Sequence, residues 1–495
     1  MAWGCGGSLA LSALLVGGVF LLLNRVPRSY PEAKNPIPPP TAAEKLGGGL
    51  DGFESPFLGH TGSWDGKGGR MGGKPKTNDL ELEVKMGLRW TFMPVYWRAL
   101  EPAGPVELDK TNPPAWAALD AFVAEAKARK LNILMQAPVV GGNAGGPPDW
   151  AGRREPGKSA PANMAAAAEF AGKLARRYAP RGALARERGW GANYGVRAWE
   201  LDNEPDGYRT HWRGQAGDYA EFVTLAARQI KAADPQAVIL APGVMGGGGA
   251  LPWVEAALDA RRLEGSPAYK QRGVAHSLGP SLDVVSFHVY EGLDSALAGK
   301  ERTVEVAFGE LRHLFEKWEQ GAEGFHYARK REYWHTEGNY DFLGVMSARR
   351  LAAWRMQFFT RAFAAGIRKV NVMDANPAEQ AAVRAYVQAL SNPFPMRRVQ
   401  ESFRVVGGEP VVYLHEDGPE AGSGRVWVVW AKANTGDAVV QLPCARQAVE
   451  WVSTEGARAR VSAVDGRVQL RLRGDPKMAP PVLVIDQPSG NATGR

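Results

Sequence analysis

Between residues 51 and 393 the chain repeats one alternation, and that alternation limits its folds more than any other feature. Short apolar runs at 53–60, 88–95, 131–138, 196–203, 237–243, 282–290, 331–337 and 369–374 are separated by segments of helical period. In 347–365, Leu351, Trp354, Phe358 and Ala362 make one face, and Gly366 is placed to end the helix. In 217–233, Tyr219, Phe222, Val223, Ala226 and Ile230 recur at helical spacing, and Asp218 with Glu221 predicts a capping box. Helices are also expected over 113–130, 161–178, 251–263, 301–320 and 378–391. Strand–helix units repeated in this way predict a (β/α)8 TIM barrel over 51–393. An open doubly wound sheet would want a Gly-rich phosphate turn after its first strand. Gly246–Gly249 follows the fifth run instead and lacks the lysine of a P-loop.

From residue 394 the texture changes. Runs at 399–406, 409–415, 424–431, 437–442, 447–452, 466–472 and 481–487 are short, rich in Val and separated by Gly, Asp and Pro. This predicts an all-β sandwich over 394–488, followed by a flexible tail at 489–495.

The other end is apolar. Trp3 to Leu23 carries no charge, close to the length that crosses a bilayer. No basic residue precedes it and no small-x-small cleavage site comes after it. Residues 1–24 are therefore expected to be an uncleaved membrane anchor, with a cleaved signal as the alternative. The Pro- and Gly-rich segment 25–50 reads as a tether. Arg25 and Arg28 favour a cytoplasmic location for the chain beyond the run. That charge bias is small and large folded domains are exported despite it, and the expectation here is a barrel facing the cell envelope.

Composition excludes several classes. With 45% hydrophobic and 23% charged residues the chain suits a globular core and not wholesale disorder. The net charge of +8 is spread along the sequence, which argues against nucleic acid as a partner. The only cysteines, Cys5 and Cys444, exclude a disulfide framework and a Cys-rich metal site. Sixteen tryptophans suit core packing and also stacking on sugar rings.

In such a barrel the chemistry sits at the C-terminal ends of the strands. The fourth run ends Trp199-Glu-Leu-Asp-Asn-Glu-Pro-Asp206, and the seventh ends Tyr333-Trp-His-Thr-Glu-Gly338. Each delivers a carboxylate, Glu204 and Glu337, to one mouth. Facing carboxylates are what glycosidic cleavage needs: one protonates the leaving oxygen, the other attacks the anomeric carbon or activates water. Asn203 can bond a sugar hydroxyl, and His288 and Tyr290 share strand parity at the sixth run. Trp97, Trp150 and Trp212 lie in or near strand-end loops, where each can pack a loop or stack on a sugar. His335 reads as a packed residue beneath Glu337. Glu200 and Asp202 read as structural acids pairing with Arg89 or Arg197, and His60 is open to either role. His211, His288 and His335 have no metal-ligand spacing, so neither metal nor cofactor is expected.

The segments Trp199-Glu-Leu-Asp-Asn-Glu-Pro205 and Trp334-His-Thr-Glu337 resemble clan A of the glycoside hydrolases, retaining TIM-barrel enzymes. Val95-Tyr-Trp-Arg-Ala-Leu-Glu-Pro102 and Pro147-Pro-Asp-Trp150 are similar to family 39, and Leu201–Asp206 to family 44; both families append a β-domain. The resemblance implies Glu204 as acid/base and Glu337 as nucleophile, with carboxyl groups about 5–5.5 Å apart. It implies a protonated Glu204 and an ionised Glu337. The chain departs from the clan at two places. Phe92 stands where many members carry an arginine on strand two, and Val372-Met373-Asp374 where many carry a tryptophan ending strand eight. Both touch the sugar subsite beside the nucleophile. They leave a second reading, a membrane-tethered glycan-binding protein on a catalytically silent barrel.

Overall fold

The structure is a computed structural model that describes residues 46, 50–60, 77–107, 113–140, 146–155, 159–207, 212, 214–245, 250–258, 278–298, 302–319, 331–340, 346–416 and 424–486. The apolar run 3–23, Cys5, most of the tether, His211, Gly246–Gly249 and the tail lie outside these residues. Among the described residues no helix is long and apolar enough to cross a membrane.

Eight parallel strands form the first unit: β1 (Phe57–His60), β2 (Trp90–Tyr96), β3 (Asn132–Val139), β4 (Ala198–Glu200), β5 (Val238–Val244), β6 (Val284–His288), β7 (Glu332–Glu337) and β8 (Lys369–Met373). Their ladder runs β1-β8-β7-β6-β5-β4-β3-β2, and its two end strands lie side by side, as in a barrel. The helices are α1 (Thr77–Met86), α2 (Trp97–Leu100), α3 (Pro114–Ala128), α4 (Met164–Tyr178), α5 (Ala183–Glu187), α6 (Ala216–Ala233), α7 (Ala250–Leu258), α8 (Glu291–Ala298), α9 (Val304–Glu319), α10 (Ala348–Ala365) and α11 (Pro377–Ala389). Gly366 ends α10 at φ +103, as its place in the sequence requires. The capping box expected from Asp218 and Glu221 is absent. Gln215 is the N-cap of α6, and both acids instead accept from Arg154, which draws them to a neighbouring loop.

The base of the barrel is sealed by residues 50–56. Phe53 enters beneath the strands with Leu50, Trp90 and Trp334. Lys369, at the start of β8, sits among the Phe53, Trp90 and Trp334 rings, 4.6–5.4 Å from their centroids. It donates to the carbonyls of Phe53 and Ser55. Burial pushes this ammonium down to about 7.

Among the described residues nine further strands follow: β9 (Met396–Arg398), β10 (Arg404–Gly407), β11 (Pro410–Glu416), β12 (Arg425–Ala431), β13 (Ala438–Pro443), β14 (Ala448–Ser453), β15 (Arg458–Ser462), β16 (Arg467–Leu472) and β17 (Val482–Asp486). They make a three-stranded sheet, β10-β13-β16, and a six-stranded sheet, β15-β14-β17-β12-β11-β9. Val412, Trp427, Val440, Leu442, Val468 and Leu470 fill the space between them, giving the expected β-sandwich. Two strands escape sequence reading. β9 is three residues long, and β15, Arg-Ala-Arg-Val-Ser, is an exposed edge without an apolar face.

The seam between β1 and β2 is tight. A side chain at Gly59 would meet the Trp90 carbonyl oxygen at 2.6 Å and the buried Glu83 carboxylate at 2.5 Å. Gly59→Ala is expected to cost about 1–3 kcal/mol in a denaturant melt, the scale of core overpacking. Adding Glu83→Ala should not restore stability, because the carbonyl remains; full recovery in the double variant would disprove the account.

Candidate active site

The residues that face the mouth come from the ends of β3, β4, β6, β7 and β8. Strand β4 leaves the ladder at Glu200, earlier than its apolar run suggested, and the next six residues turn. Asp202 and Glu204 both adopt left-handed backbone, at φ +64 and +44. Such conformations cost a non-glycine residue about 1–3 kcal/mol and persist only where the surroundings hold them. The holds are visible. Val140 N donates to Asp202 Oδ1 (3.0 Å), Tyr219 Oη to Leu201 O (2.6 Å) and Glu204 N to Gly243 O (3.1 Å). Gly243, at φ +55, lets β5 pass close to Glu200; a Cβ there would lie 3.1 Å from the Glu200 carboxylate.

Because β4 turns so early, simple strand parity fails beyond Glu200. Glu200 and Asp202 do not meet Arg89 or Arg197, which bind Asp51 and Asp234. Glu200 is buried inside the barrel and accepts from Thr336 Oγ1 (2.7 Å) and Gln136 Nε2 (3.1 Å). Gln136 also donates to Asn203 Oδ1 (2.9 Å), which fixes the orientation of the Asn203 amide beside Glu204. Sequence reading passed over Gln136 and Thr336. The uncharged amide in the middle of the otherwise apolar run Ile133–Val139 was the available signal for Gln136.

His288 joins the two acids. It is fully buried, and its Nδ1 lies 2.9 Å from Glu204 Oε1 and 4.0 Å from Glu337 Oε2. One donor atom from each of Glu204, His288 and Glu337 falls within 4.8 Å of the others. Burial acts to push the imidazole pKa down, but the carboxylates of Glu337, Glu204 and Glu200 outweigh it and raise it to about 9. At neutral pH His288 is thus an imidazolium. Tyr290 Oη donates to Glu337 and lies 3.6 Å from Met373 Sδ. Its pKa is driven well above the usual phenol value, first by burial and then by the Glu337 charge, so it remains a donor.

The Glu337 carboxyl departs from the sequence expectation of a firmly ionised group. Burial raises its pKa, and the nearby Glu204 charge adds to this, while the His288 charge and the Tyr290 hydrogen bond oppose it. A third acid belongs to the site. Asp206 accepts from Met245 N (3.2 Å), and burial together with the Glu204 charge pushes it up to about 7.

The remaining residues singled out from sequence fall elsewhere. Trp97 is fully buried, 5.8 Å from the Phe170 ring, with its Nε1 donating to Glu101. Trp212 is fully buried against Tyr219 and Phe222. Both are core residues of helix–loop junctions, where an indole buries more area than a loop side chain usually can. Trp150 is half-buried on the edge of Trp97 and donates to Glu101 O. His335 packs between Phe287 and Phe358, and burial pushes it down to about 3, so it is a neutral core residue. His60 lies under the Phe92 ring.

No protein-family model and no curated protein sequence matches the chain. Solved structures do. A family 39 glycoside hydrolase from the gut symbiont Bacteroides cellulosilyticus WH2 superposes with a TM-score of 0.57 at 14% identity, covering 91% of this chain and 83% of that one. A family 39 β-xylosidase from Caulobacter crescentus gives 0.53 at 14%, covering 92% and 98%. A family 44 xyloglucanase from Paenibacillus polymyxa, solved with xyloglucan, gives 0.51 at 14%, covering 88% and 97%. The fold of this chain, barrel and β-sandwich together, is the one these glycoside hydrolases share.

The raised groups make stability depend on pH with a definite sign. Folded Asp206 keeps its proton up to about 7, against 3.8 for the free group, and folded His288 keeps its own to about 9, against 6.5. In both windows the folded state binds more protons than the unfolded one, so stability falls as pH rises. Asp206→Asn is expected to flatten the decline between pH 4 and 7, and His288→Asn the decline between 6.5 and 9. Denaturant midpoints measured against pH check this; slopes equal to wild type in both variants would refute it.

Proposed function

We propose that the protein is a retaining glycoside hydrolase that cleaves a poly- or oligosaccharide, with Glu204 as acid/base and Glu337 as nucleophile. The observation that carries this reading is the approach of the two carboxylates, one from the end of β4 and one from β7, to within 4.8 Å around His288. Carboxylate oxygens this close support direct attack by one carboxylate, the arrangement of retaining enzymes at about 5–5.5 Å, over the wider spacing of about 6.5–9.5 Å that an inverting water occupies. The solved glycoside hydrolases of the same fold support the reaction class.

In this reading the reaction runs in two steps. A Glu337 oxygen attacks the anomeric carbon as the glycosidic C–O bond breaks, and the Glu204 proton passes to the leaving oxygen. Glu204, now a carboxylate, takes a proton from water; the water oxygen attacks the anomeric carbon and Glu337 departs. His288 balances the two acids with one positive charge. Tyr290 holds one Glu337 oxygen so that the other can point at the sugar.

Turnover of at least one member of a panel of neutral and acidic polysaccharides and aryl glycosides is expected; saturable binding with no turnover would instead support a silent barrel. Glu204→Ala should lower cleavage of an unactivated glycan by about 10²–10⁴-fold and spare the first step on activated aryl glycosides. Glu337→Ala should be inactive on both and partly rescued by azide. The raised Glu337 should place the acid limb of kcat/KM above the ordinary carboxylate range. Tyr290→Phe, which removes a bond to the ionised form, should move that limb further up. An unmoved limb would assign it to another group.

We also propose that residues 1–24 anchor the protein with its barrel on the envelope side. The tether enters at residues 50–56, beneath the barrel floor and opposite the strand ends that carry Glu204 and Glu337. A barrel held this way presents its mouth away from the membrane. A C-terminal reporter that works only after export should be active, and one that works only in the cytoplasm silent; the reverse pattern would overturn the location.

A further inference from the structure

The end of β8 carries a residue that the double displacement does not use. Asp374 follows Met373, and its backbone is left-handed at φ +46. Few non-glycine residues adopt that conformation, and those that do gather at functional positions. The turn is held from both sides. Asp374 N donates to His60 O (3.2 Å). The Met373 carbonyl accepts from Nη2 of the fully buried Arg355 (2.9 Å). The same guanidinium grips Glu379 at 2.7 Å, and Glu379 Oε2 accepts from Asn376 N and Nδ2. Backbone on either side is therefore fixed, while Asp374 itself is exposed at the mouth.

Its place is beside the nucleophile. Met373 Sδ lies against the Tyr290 hydroxyl that donates to Glu337, and the Asp374 charge acts on that hydroxyl together with those of Glu337 and Glu204. An indole at this strand end, as in the enzymes the sequence resembles, would offer a sugar an apolar face. Asp374 places a carboxylate and its negative charge there. Glu200, Glu204, Asp206, Glu337 and Asp374 bring acidic groups to this mouth, with the His288 cation among them.

We propose that Asp374 is a specificity-determining residue, whose carboxylate admits a sugar bearing hydroxyl or amine donors beside Glu337 and rejects a uronate. A hydroxyl or ammonium can donate to it. A sugar carboxylate would be brought, desolvated, against like charges. The inference deepens the glycosidase reading and rests on it.

The test compares the best neutral substrate of the wild type with its counterpart carrying a carboxylate at C6. Asp374→Asn keeps the side-chain size and the left-handed backbone, which Asn tolerates, while it removes the charge and turns one acceptor into an amide donor. Wild type should prefer the neutral substrate in kcat/KM. Asp374→Asn should narrow that preference at least tenfold, mainly through a lower KM for the acidic one. An unchanged preference, a wild-type preference for the uronate, or no turnover of the uronate by either protein would overturn the role of Asp374 and leave the glycosidase reading standing. Failure of the wild type on every glycoside would overturn that reading itself.

Discussion

Two carboxylates do not share a buried pocket unless something offsets their repulsion and their lost hydration, and here His288 does so. Its imidazole lies 2.9 Å from Glu204 and 4.0 Å from Glu337, with no exposed surface of its own. Burial alone would leave it neutral, and the surrounding acids reverse that. Removing this proton would leave the negative charge of the Glu204–Glu337 pair without its counter-charge in a low-dielectric mouth. The left-handed backbone at Asp202 and Glu204 is tolerated on the same terms, since β3, β5 and α6 each contribute a hydrogen bond that holds it.

The barrel divides its labour along its axis. At the base, Leu50, Phe53, Trp90 and Trp334 make an apolar plug, and the ammonium of Lys369 there is met by aromatic faces and two carbonyls. At the top, Gln136, Glu200, Asn203 and Thr336 form a polar layer that satisfies itself and orients the groups above it. The base is thus a packed apolar plug and the mouth a polar, charged site, the division expected from the strand polarity of such barrels.

The β-sandwich belongs to this arrangement through α10. One side of that helix sends Arg355 inward to the end of β8. Another sends Gln357 to the carbonyl of Ala479 (2.7 Å), while Arg350 binds Asp475. Trp430, Val428 and Leu483 of the six-stranded sheet join the hydrophobic cluster of the barrel's outer helices. The sandwich thus backs the sector of the barrel that carries β8, and with it the Met373–Asp374 turn.

The sequence by itself determined the repeating architecture, the change of texture at 394 and the two acids at the fourth and seventh strand ends, because periodicity and strand-end position are local properties. It did not reveal Gln136, Asp206 or the Arg355–Glu379 support, because each acquires its partner from a distant segment. It misassigned the partner of Glu200, since Arg89 and Arg197 precede β2 and β4 and bind Asp51 and Asp234, while Glu200 ends β4 and meets Gln136 and Thr336. It also could not tell a packing indole from a ligand-binding one: Trp97 and Trp212 are identical in chemistry to any sugar platform, and only their complete burial decides the matter. The protonation of the site was likewise a tertiary decision. Glu337 is raised and His288 charged because burial and mutual charge act on groups that are 49 to 133 positions apart in the chain and within hydrogen-bond or ion-pair reach in the fold.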